Sequence, residues 1–208
     1  MALRGSCMEI LEVGGSKYLK ISWKKLEELV EALAEKILAS SYTPDILVGI
    51  LRGGVTVAHL LSDVLGLYRI YPIGCSSYVD VGRKGELKIY SPLAIKDLSG
   101  KRVLVVDDVA DDGGTLKGVV ELEILPKNPL EVRTATLHMK PWCRFKPDYY
   151  IEVTDAWIIY PWERHEVVRQ VAKKFIEDLG WERGLAELAD ILGKGVKEAE
   201  KLIALQRK

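Results

Sequence analysis

The sequence predicts an α/β fold in which helices flank a parallel β-sheet. Two short apolar runs, residues 46–51 and 103–106, have the length and the β-branched content of strands that are buried on both faces. Each run ends in a turn of polar and glycine residues, and a helical pattern follows each turn. Strands that alternate with helices form parallel sheets, so we expect both strands to end at the same edge of one sheet.

The remaining elements follow from apolar spacing and from turn residues. Ser22 is a capping residue in front of a helix that runs to Ala39, and Gly66 ends a second helix. Residues 76–92 are polar and punctuated by glycine, and they predict a long irregular segment. The predicted strands lie within residues 8–21 and at 46–51, 68–74, 103–106, 131–139 and 149–153, and the predicted helices at 22–39, 55–65 and 115–125.

The most informative segment runs from Val103 to Lys117, with the sequence Val-Leu-Val-Val-Asp-Asp-Val-Ala-Asp-Asp-Gly-Gly-Thr-Leu-Lys. The carboxylates of Asp107 and Asp108, at the end of a strand, suit a divalent cation or sugar hydroxyls. A Gly-Gly-Thr turn that enters a helix suits a phosphate, because its free N–H groups converge there. Together the two halves indicate a pocket for a phosphorylated sugar with Mg²⁺.

Two further segments carry groups that suit binding. Arg52-Gly53-Gly54 follows the strand at 46–51, where the glycines allow close backbone approach to an anion and Arg52 adds a positive charge. Lys140 ends a later strand and is followed, about fifteen residues on, by Trp157. A lysine near an aromatic ring suits a flat heterocycle with an exocyclic oxygen, although core packing is the alternative role for the tryptophan.

The segment from Val103 to Lys117 closely resembles the phosphoribosyl pyrophosphate (PRPP) signature of the type I phosphoribosyltransferases. The resemblance covers residues 10–163, and it implies that family's α/β fold with a small hood region. We therefore expect a phosphoribosyltransferase core with a base-binding hood at 1–163, and a C-terminal helical extension at 164–208. In the extension, three apolar stripes predict three helices, separated near Gly180 and at residues 193–195.

The resemblance also implies a role for each candidate residue toward PRPP. Asp107 and Asp108 lie near the ribose hydroxyls and hold Mg²⁺ largely through water. Asp111 stands where the family's proposed general base is found, and it serves catalysis together with Asp107, Asp108 and Arg52. Binding of the 5-phosphate is assigned to Asp111, Asp112, Gly113, Gly114 and Thr115. Pyrophosphate is assigned to Leu51, Arg52 and Gly53, with a cis peptide at Leu51-Arg52, and a loop that closes over the sugar is assigned to Ser77 and Tyr78.

The C-terminal part of the matching region is similar to the 6-oxopurine branch of the family, in particular to the xanthine-guanine and hypoxanthine-guanine enzymes. That similarity implies that Lys140 contacts the 6-oxo group, that Trp157 stacks on the base, and that the Ile158 backbone reads the ring edge. The expected reaction transfers phosphoribose from PRPP to guanine, xanthine or hypoxanthine in purine salvage. An adenine or pyrimidine phosphoribosyltransferase, and a PRPP-sensing regulator without catalysis, are the alternatives.

Asp112 departs from the family pattern, which has threonine at this position. A carboxylate beside a phosphate dianion is unfavourable unless it points away. The side chain is therefore expected to face solvent or to cap the helix, with weaker PRPP binding as the alternative.

Composition is that of a globular enzyme. The chain of 208 residues carries 30 basic and 30 acidic side chains, and this zero net charge does not favour nucleic acid as a partner. The three cysteines are far apart and predict neither a disulfide framework nor a zinc site. No segment has the length and hydropathy of a signal or membrane span, so we expect a cytoplasmic protein without a membrane partner. A homodimer or a higher homo-oligomer is the expected assembly.

Overall fold

The computed structural model describes residues 9–77 and 87–205, and the chain divides into two compact units. The large unit comprises residues 27–154, and the small unit comprises residues 1–26 together with 155–208. The helix α1 (Trp23–Ala39) begins at the predicted position, where the Ser22 hydroxyl accepts a hydrogen bond of 3.1 Å from the Lys25 backbone N–H.

A six-stranded sheet forms the centre of the large unit and confirms the predicted α/β class. All neighbouring strands in it are parallel except one antiparallel edge strand. Its strands are β3 (Ile46–Leu51), β4 (Ile70–Ser77), β5 (Leu87–Ser91), β6 (Arg102–Ala110), β7 (Glu131–Met139) and β8 (Glu152–Val153), in the spatial order β5-β4-β3-β6-β7-β8. The apolar runs of β3 and β6 are adjacent at the centre, as their burial on both faces requires.

Helix α2 (Gly53–Leu65) directly follows β3, and Gly66 ends it with a left-handed φ of 66°. Helix α3 (Gly114–Val119) follows β6 after a short loop. Since β3 and β6 are parallel neighbours, the loops that lead into α2 and α3 lie at the same edge of the sheet. This edge holds most of the predicted functional residues.

The predicted helix at 115–125 is α-helical only in its first part. After α3 the chain forms a single π turn, Val120–Ile124, and then a 3₁₀ turn, Leu125–Lys127. Pro126 lacks the backbone N–H that a continuing α-helix needs, and Asn128 takes a left-handed φ of 54°.

One predicted irregular segment and one predicted strand also differ from what is observed. The segment at 76–92 is less irregular than predicted, since β4 extends to Ser77 and β5 pairs with it in an antiparallel arrangement. The strand predicted at 149–153 is reduced to β8, preceded by an isolated bridge between Ala135 and Tyr149. The Asp148 carboxylate accepts hydrogen bonds of 2.7 Å from the Thr134 backbone N–H and of 2.8 Å from the Thr134 hydroxyl, while the Thr134 carbonyl accepts from the Tyr149 N–H at 3.0 Å.

The small unit combines a three-stranded sheet with three helices. Strands β1 (Glu9–Val13) and β2 (Ser16–Lys20) lie in the stretch 8–21 that was predicted to hold strands, and they form an antiparallel hairpin. Strand β9 (Trp157–Ile159) runs parallel to β2. Helices α4 (Arg164–Leu179), α5 (Trp181–Leu192) and α6 (Val196–Ala204) are the three helices that the apolar stripes predict. Their core includes Phe175, whose ring meets that of Tyr18 edge to face at 5.1 Å.

The helices of the described residues are too short or too polar to cross a membrane. The division into a core at 1–163 and an extension at 164–208 stays a prediction.

Candidate active site

The turn after β3 packs directly on the carboxylates of Asp107 and Asp108. The strand predicted at 103–106 continues past these two residues to Ala110, because β6 stays paired with β7 up to that point, so the pair lies within β6 near its C-terminal end. A Cβ atom at Gly54 would lie 2.8 Å from the Asp107 Cα and 2.9 Å from its Oδ1, and a Cβ atom at Gly53 would collide with the Asp108 carboxylate. Only glycine permits this approach at both positions. The structure therefore brings together the turn predicted to bind pyrophosphate and the acidic pair predicted to hold Mg²⁺ and ribose.

The carboxylates of the acidic pair, Asp107 and Asp108, accept hydrogen bonds from backbone N–H groups near the C-terminal end of β6. Asp107 Oδ1 accepts from the Asp108 N–H at 3.0 Å, and Asp108 Oδ1 accepts from the Val109 N–H at 2.8 Å. Burial, reinforced by the neighbouring Asp108 charge, raises the pKa of Asp107 well above its usual range, and burial raises the pKa of Asp108 to about 6. The pair thus lies where two negative charges are unfavourable without a cation or a shared proton.

The Leu51-Arg52 peptide bond is cis, as the resemblance implied. Arg52 is exposed at the start of α2, next to the glycines that contact the acidic pair. Its side chain is therefore at the same edge of the sheet as the acidic pair. The pyrophosphate role of Leu51, Arg52 and Gly53 stays a prediction.

The loop predicted to bind phosphate, residues 111–115, begins directly after β6. Gly113 has a φ of 83°, and a Cβ atom there would lie 2.8 Å from the Phe145 Cβ, so both backbone conformation and space require glycine. Asp112 Oδ1 accepts a hydrogen bond of 2.8 Å from the Gly114 N–H. Of the two orientations expected for Asp112, the structure shows the one that caps the turn, which occupies one of the N–H groups predicted to bind the 5-phosphate.

The remaining predicted residues lie in three places. Ser77 is the last residue of β4, whereas Tyr78 lies outside the described residues. Lys140 follows β7 directly at the edge that carries the acidic pair, and its N–H donates to the Ala110 carbonyl at 2.9 Å. Trp157 and Ile158 are on β9 in the small unit; the Trp157 side chain is half-exposed, whereas Ile158 is buried. The assignment of these residues to the base stays a prediction.

Trp142 is a residue of this edge that the sequence reasoning missed. Its indole N–H donates to Asp111 Oδ1 at 2.7 Å, and its ring lies 5.8 Å from the Lys140 Nζ. The available signal was its place two residues after Lys140, because β6 and β7 are parallel and their following loops share one edge.

The acidic pair fits a magnesium ion that is shared with the substrate. Among residues 9–77 and 87–205, no group of three or more His, Cys, Asp or Glu side chains is placed to hold a metal ion. Mg²⁺ characteristically keeps several waters and takes one or two carboxylates together with phosphate oxygens. Two adjacent carboxylates with raised pKa values supply that partial set of ligands.

The fold, the glycine turn and the acidic strand end together define a protein of the phosphoribosyl-transferring class. The family model described as phosphoribosyl transferase domain matches residues 22–168. The chain therefore belongs to the phosphoribosyl transferase domain family.

Named relatives fall within the purine group of this family. The chain is 34% identical over 145 residues to the xanthine-guanine phosphoribosyltransferase of Desulfotalea psychrophila, which covers 69% of this chain and 84% of the relative. It is similar to the crystal structure of a purine phosphoribosyltransferase from Pyrococcus horikoshii Ot3, with 38% identity, a TM-score of 0.63, and coverage of 70% of this chain and 93% of that one. A xanthine-guanine-hypoxanthine phosphoribosyltransferase from Helicobacter pylori matches with 29% identity and a TM-score of 0.61, covering 70% and 94%.

Proposed function

We propose that the protein transfers the 5-phosphoribosyl group of PRPP to a 6-oxopurine base, namely guanine, xanthine or hypoxanthine, and releases pyrophosphate. The observation that carries the proposal is the packing of Gly53 and Gly54 on Asp107 and Asp108. A phosphoribosyl transfer requires the leaving pyrophosphate to be held next to the ribose, and this packing places the two candidate groups in contact. The xanthine-guanine and purine enzymes among its relatives support the choice of base.

In the proposed reaction a ring nitrogen of the purine forms a bond to C1 of the ribose as the bond from C1 to pyrophosphate breaks. Positive charge develops on the ribose ring in such transfers, as it does in glycoside hydrolysis. Asp107 and Asp108 lie near the ribose hydroxyls, where their negative charge favours that state. Arg52 and the backbone of Gly53 bind the pyrophosphate, and their positive charge and N–H groups favour its departure.

Asp107 and Asp108 would hold Mg²⁺, largely through water, and the ion when bound would neutralise part of the charge on the departing pyrophosphate. The loop at 111–115 binds the 5-phosphate through its N–H groups and the Thr115 hydroxyl. In this proposal the Gly114 N–H becomes available to phosphate when the Asp112 side chain rotates away.

Base recognition rests on groups that suit a 6-oxopurine. The Lys140 ammonium donates to the 6-oxo oxygen, the Asp111 carboxylate accepts from a ring N–H, and Trp157 stacks on the ring while the Ile158 backbone contacts its edge. Ser77 and Tyr78 belong to a segment that closes over the sugar and excludes water from the reactive carbon. A homo-oligomer and a cytoplasmic location, both expected from the sequence, complete the proposal.

The role of Trp157 separates this proposal from one in which the ring only fills space. Trp157→Ala is expected to raise the KM for guanine about tenfold or more, because a stacked base contributes on the order of 1–3 kcal/mol. The KM for PRPP should change less than about twofold. Steady-state kinetics with each substrate varied in turn measures both constants.

Trp181 supplies a matched control, since its exposed fraction is 45% against 53% for Trp157 and it belongs to the same unit. Trp181→Ala should leave both KM values unchanged. Equal rises in both KM values for Trp157→Ala would show that the indole ring does not stack on the base.

A further inference from the structure

The loop after β7 is tied to the loop after β6 by a series of backbone hydrogen bonds. The Lys140 N–H donates to the Ala110 carbonyl at 2.9 Å, and the N–H groups of Arg144 and Phe145 donate to the Asp112 carbonyl at 3.0 and 3.3 Å. These bonds fix residues 140–145 against residues 110–112. The backbone between these hydrogen bonds, residues 141–143, is thereby held beside the loop that carries Asp111.

Trp142 is in this stretch, and its side chain contacts Asp111. Its Nε1–H donates to Asp111 Oδ1 at 2.7 Å, a short distance that is typical of a hydrogen bond to a charged acceptor. The residue is 53% exposed, so burial of apolar surface does not explain why a tryptophan stands here. The ring also lies 5.8 Å from the Lys140 Nζ, within the range of a cation–π contact.

We propose that Trp142 is a positioning residue for the transfer reaction and holds Asp111 in the orientation that receives the base. The proposal rests on the proposed function, in which Asp111 accepts a hydrogen bond from a ring N–H of the purine. With the indole on Oδ1, the second carboxylate oxygen, Oδ2, is the acceptor for the base. The indole N–H is a donor without an acceptor function, so it fixes the carboxylate and does not compete for the purine proton.

The same ring sets the spacing between two groups that the proposal assigns to the base. One edge of the indole carries the bond to Asp111, and its face lies near the Lys140 ammonium. The Asp111 carboxylate, which accepts from the ring N–H, and the Lys140 ammonium, which donates to the 6-oxo oxygen, therefore both contact one rigid side chain. A flexible donor such as lysine or glutamine would hold neither group as firmly.

Trp142→Phe tests the inference, because it keeps an aromatic ring and removes the N–H. Loss of one hydrogen bond to a charged group is expected to lower kcat about five- to tenfold. The KM for PRPP should change less than about twofold. Trp23→Phe is the control, since Trp23 is similarly exposed at 56% and starts α1, and it should leave kcat unchanged.

A double-mutant cycle distinguishes positioning through Asp111 from an independent effect. In an Asp111→Ala background, Trp142→Phe is expected to change kcat by less than about twofold, because the group that it orients is already gone. An unchanged kcat in the single variant would overturn the proposal. The same fivefold loss in both backgrounds would also overturn it.

An activity-independent measurement uses protein labelled with ¹⁵N-tryptophan. The Trp142 indole signal is the one that disappears in Trp142→Phe. In Asp111→Ala this signal should shift and exchange with solvent about fivefold faster or more, since the acceptor is lost. No change in shift or exchange would overturn the inference. If the wild-type protein makes no nucleotide from any base, the proposed function fails, whereas an active wild type with an equally active Trp142→Phe overturns only the role of Trp142.

Discussion

At the scale of single residues, Asp107 and Asp108 lie where the proposed reaction needs carboxylates, but burial makes their negative charges unfavourable. Burial is the first cause of the raised pKa of each carboxyl, and the charge of Asp108 adds to the effect on Asp107. A cation and a positively charged ribose would both favour the ionised pair. Without ligand, the pair destabilises the folded protein at neutral pH.

Asp108→Asn is expected to change how the stability of the folded protein depends on pH. The pKa of Asp108 is about 6 in the folded protein and about 4 in an unfolded chain, so the folded state binds more protons between these values. Stability at this site is therefore greatest below about pH 4 and falls as the pH rises through about 6. The variant should be about 2 kcal/mol more stable than the wild type at pH 7.5 and equal to it near pH 4, as measured by urea denaturation.

The same variant should lose most of its turnover, since the ionised carboxylate is the proposed ligand for metal and ribose. Asp63→Asn, on the exposed face of α2, is the control and should change neither stability nor turnover. A less stable Asp108→Asn at pH 7.5 would contradict the placement of a strained charge at the end of β6.

Asp112 gives a second prediction at this scale. Asp112→Thr frees the Gly114 N–H and removes a negative charge beside the phosphate loop, so the KM for PRPP should fall about three- to tenfold. Asp112→Asn removes the charge but keeps a side-chain acceptor for Gly114, and its effect should be smaller. Steady-state kinetics at fixed ionic strength measures both. Unchanged PRPP constants in the two variants would mean that the carboxylate does not meet the phosphate.

At the scale of elements, the site depends on how closely the turn after β3 meets the end of β6. Both strands contain an apolar run rich in β-branched residues, and the burial of these runs on both faces could be predicted from the sequence alone. The contact between the turns could be predicted only in part. Glycine at 53 and 54 indicates close approach to some group, but adjacency of β3 and β6 depends on pairing between residues more than fifty positions apart.

Gly54→Ala tests this contact. The new Cβ would lie 2.8 Å from the Asp107 Cα and would meet the Val106 carbonyl, so backbone must move. We expect a loss of about 2 kcal/mol or more in the free energy of unfolding, together with loss of turnover.

Gly66→Ala provides the comparison for that variant, because Gly66 has a φ of 66° and no atom within 4 Å of an added Cβ. Its cost is conformational alone, about 1 kcal/mol, and turnover should persist. If Gly54→Ala retained full turnover at no greater cost, the turn and the acidic pair would not be in contact as described.

Other elements show what the sequence could not predict. The π turn after α3 leaves no mark in apolar spacing, and β8 and β9 are too short for an alternating pattern. The bond from Trp142 to Asp111 joins loops about thirty residues apart, and it depends on the register of β6 against β7. The local sequence pattern predicts neither this hydrogen bond nor the register of the two strands, because both depend on tertiary pairing.

At the scale of the whole molecule, the family match ends at residue 168, within α4, and the helices beyond it pack into the small unit. The apolar faces of these helices pack with one another and with Val13, Tyr18 and Ile159 of the three-stranded sheet. The match includes both candidate turns, the phosphate loop and β9. All the residues to which the proposed chemistry assigns a role lie inside the matched range.

The most direct test of the proposed function is an endpoint assay of nucleotide formation. The protein is incubated with PRPP and Mg²⁺ in the presence of guanine, xanthine, hypoxanthine, adenine, uracil or orotate, and the products are separated by chromatography. Monophosphates are expected from the 6-oxopurines and from no other base in this set. Product from adenine or a pyrimidine alone would contradict the assignment of Lys140 and Trp157. No product from any base, with PRPP still bound, would contradict the enzyme function itself and favour a PRPP-sensing regulator.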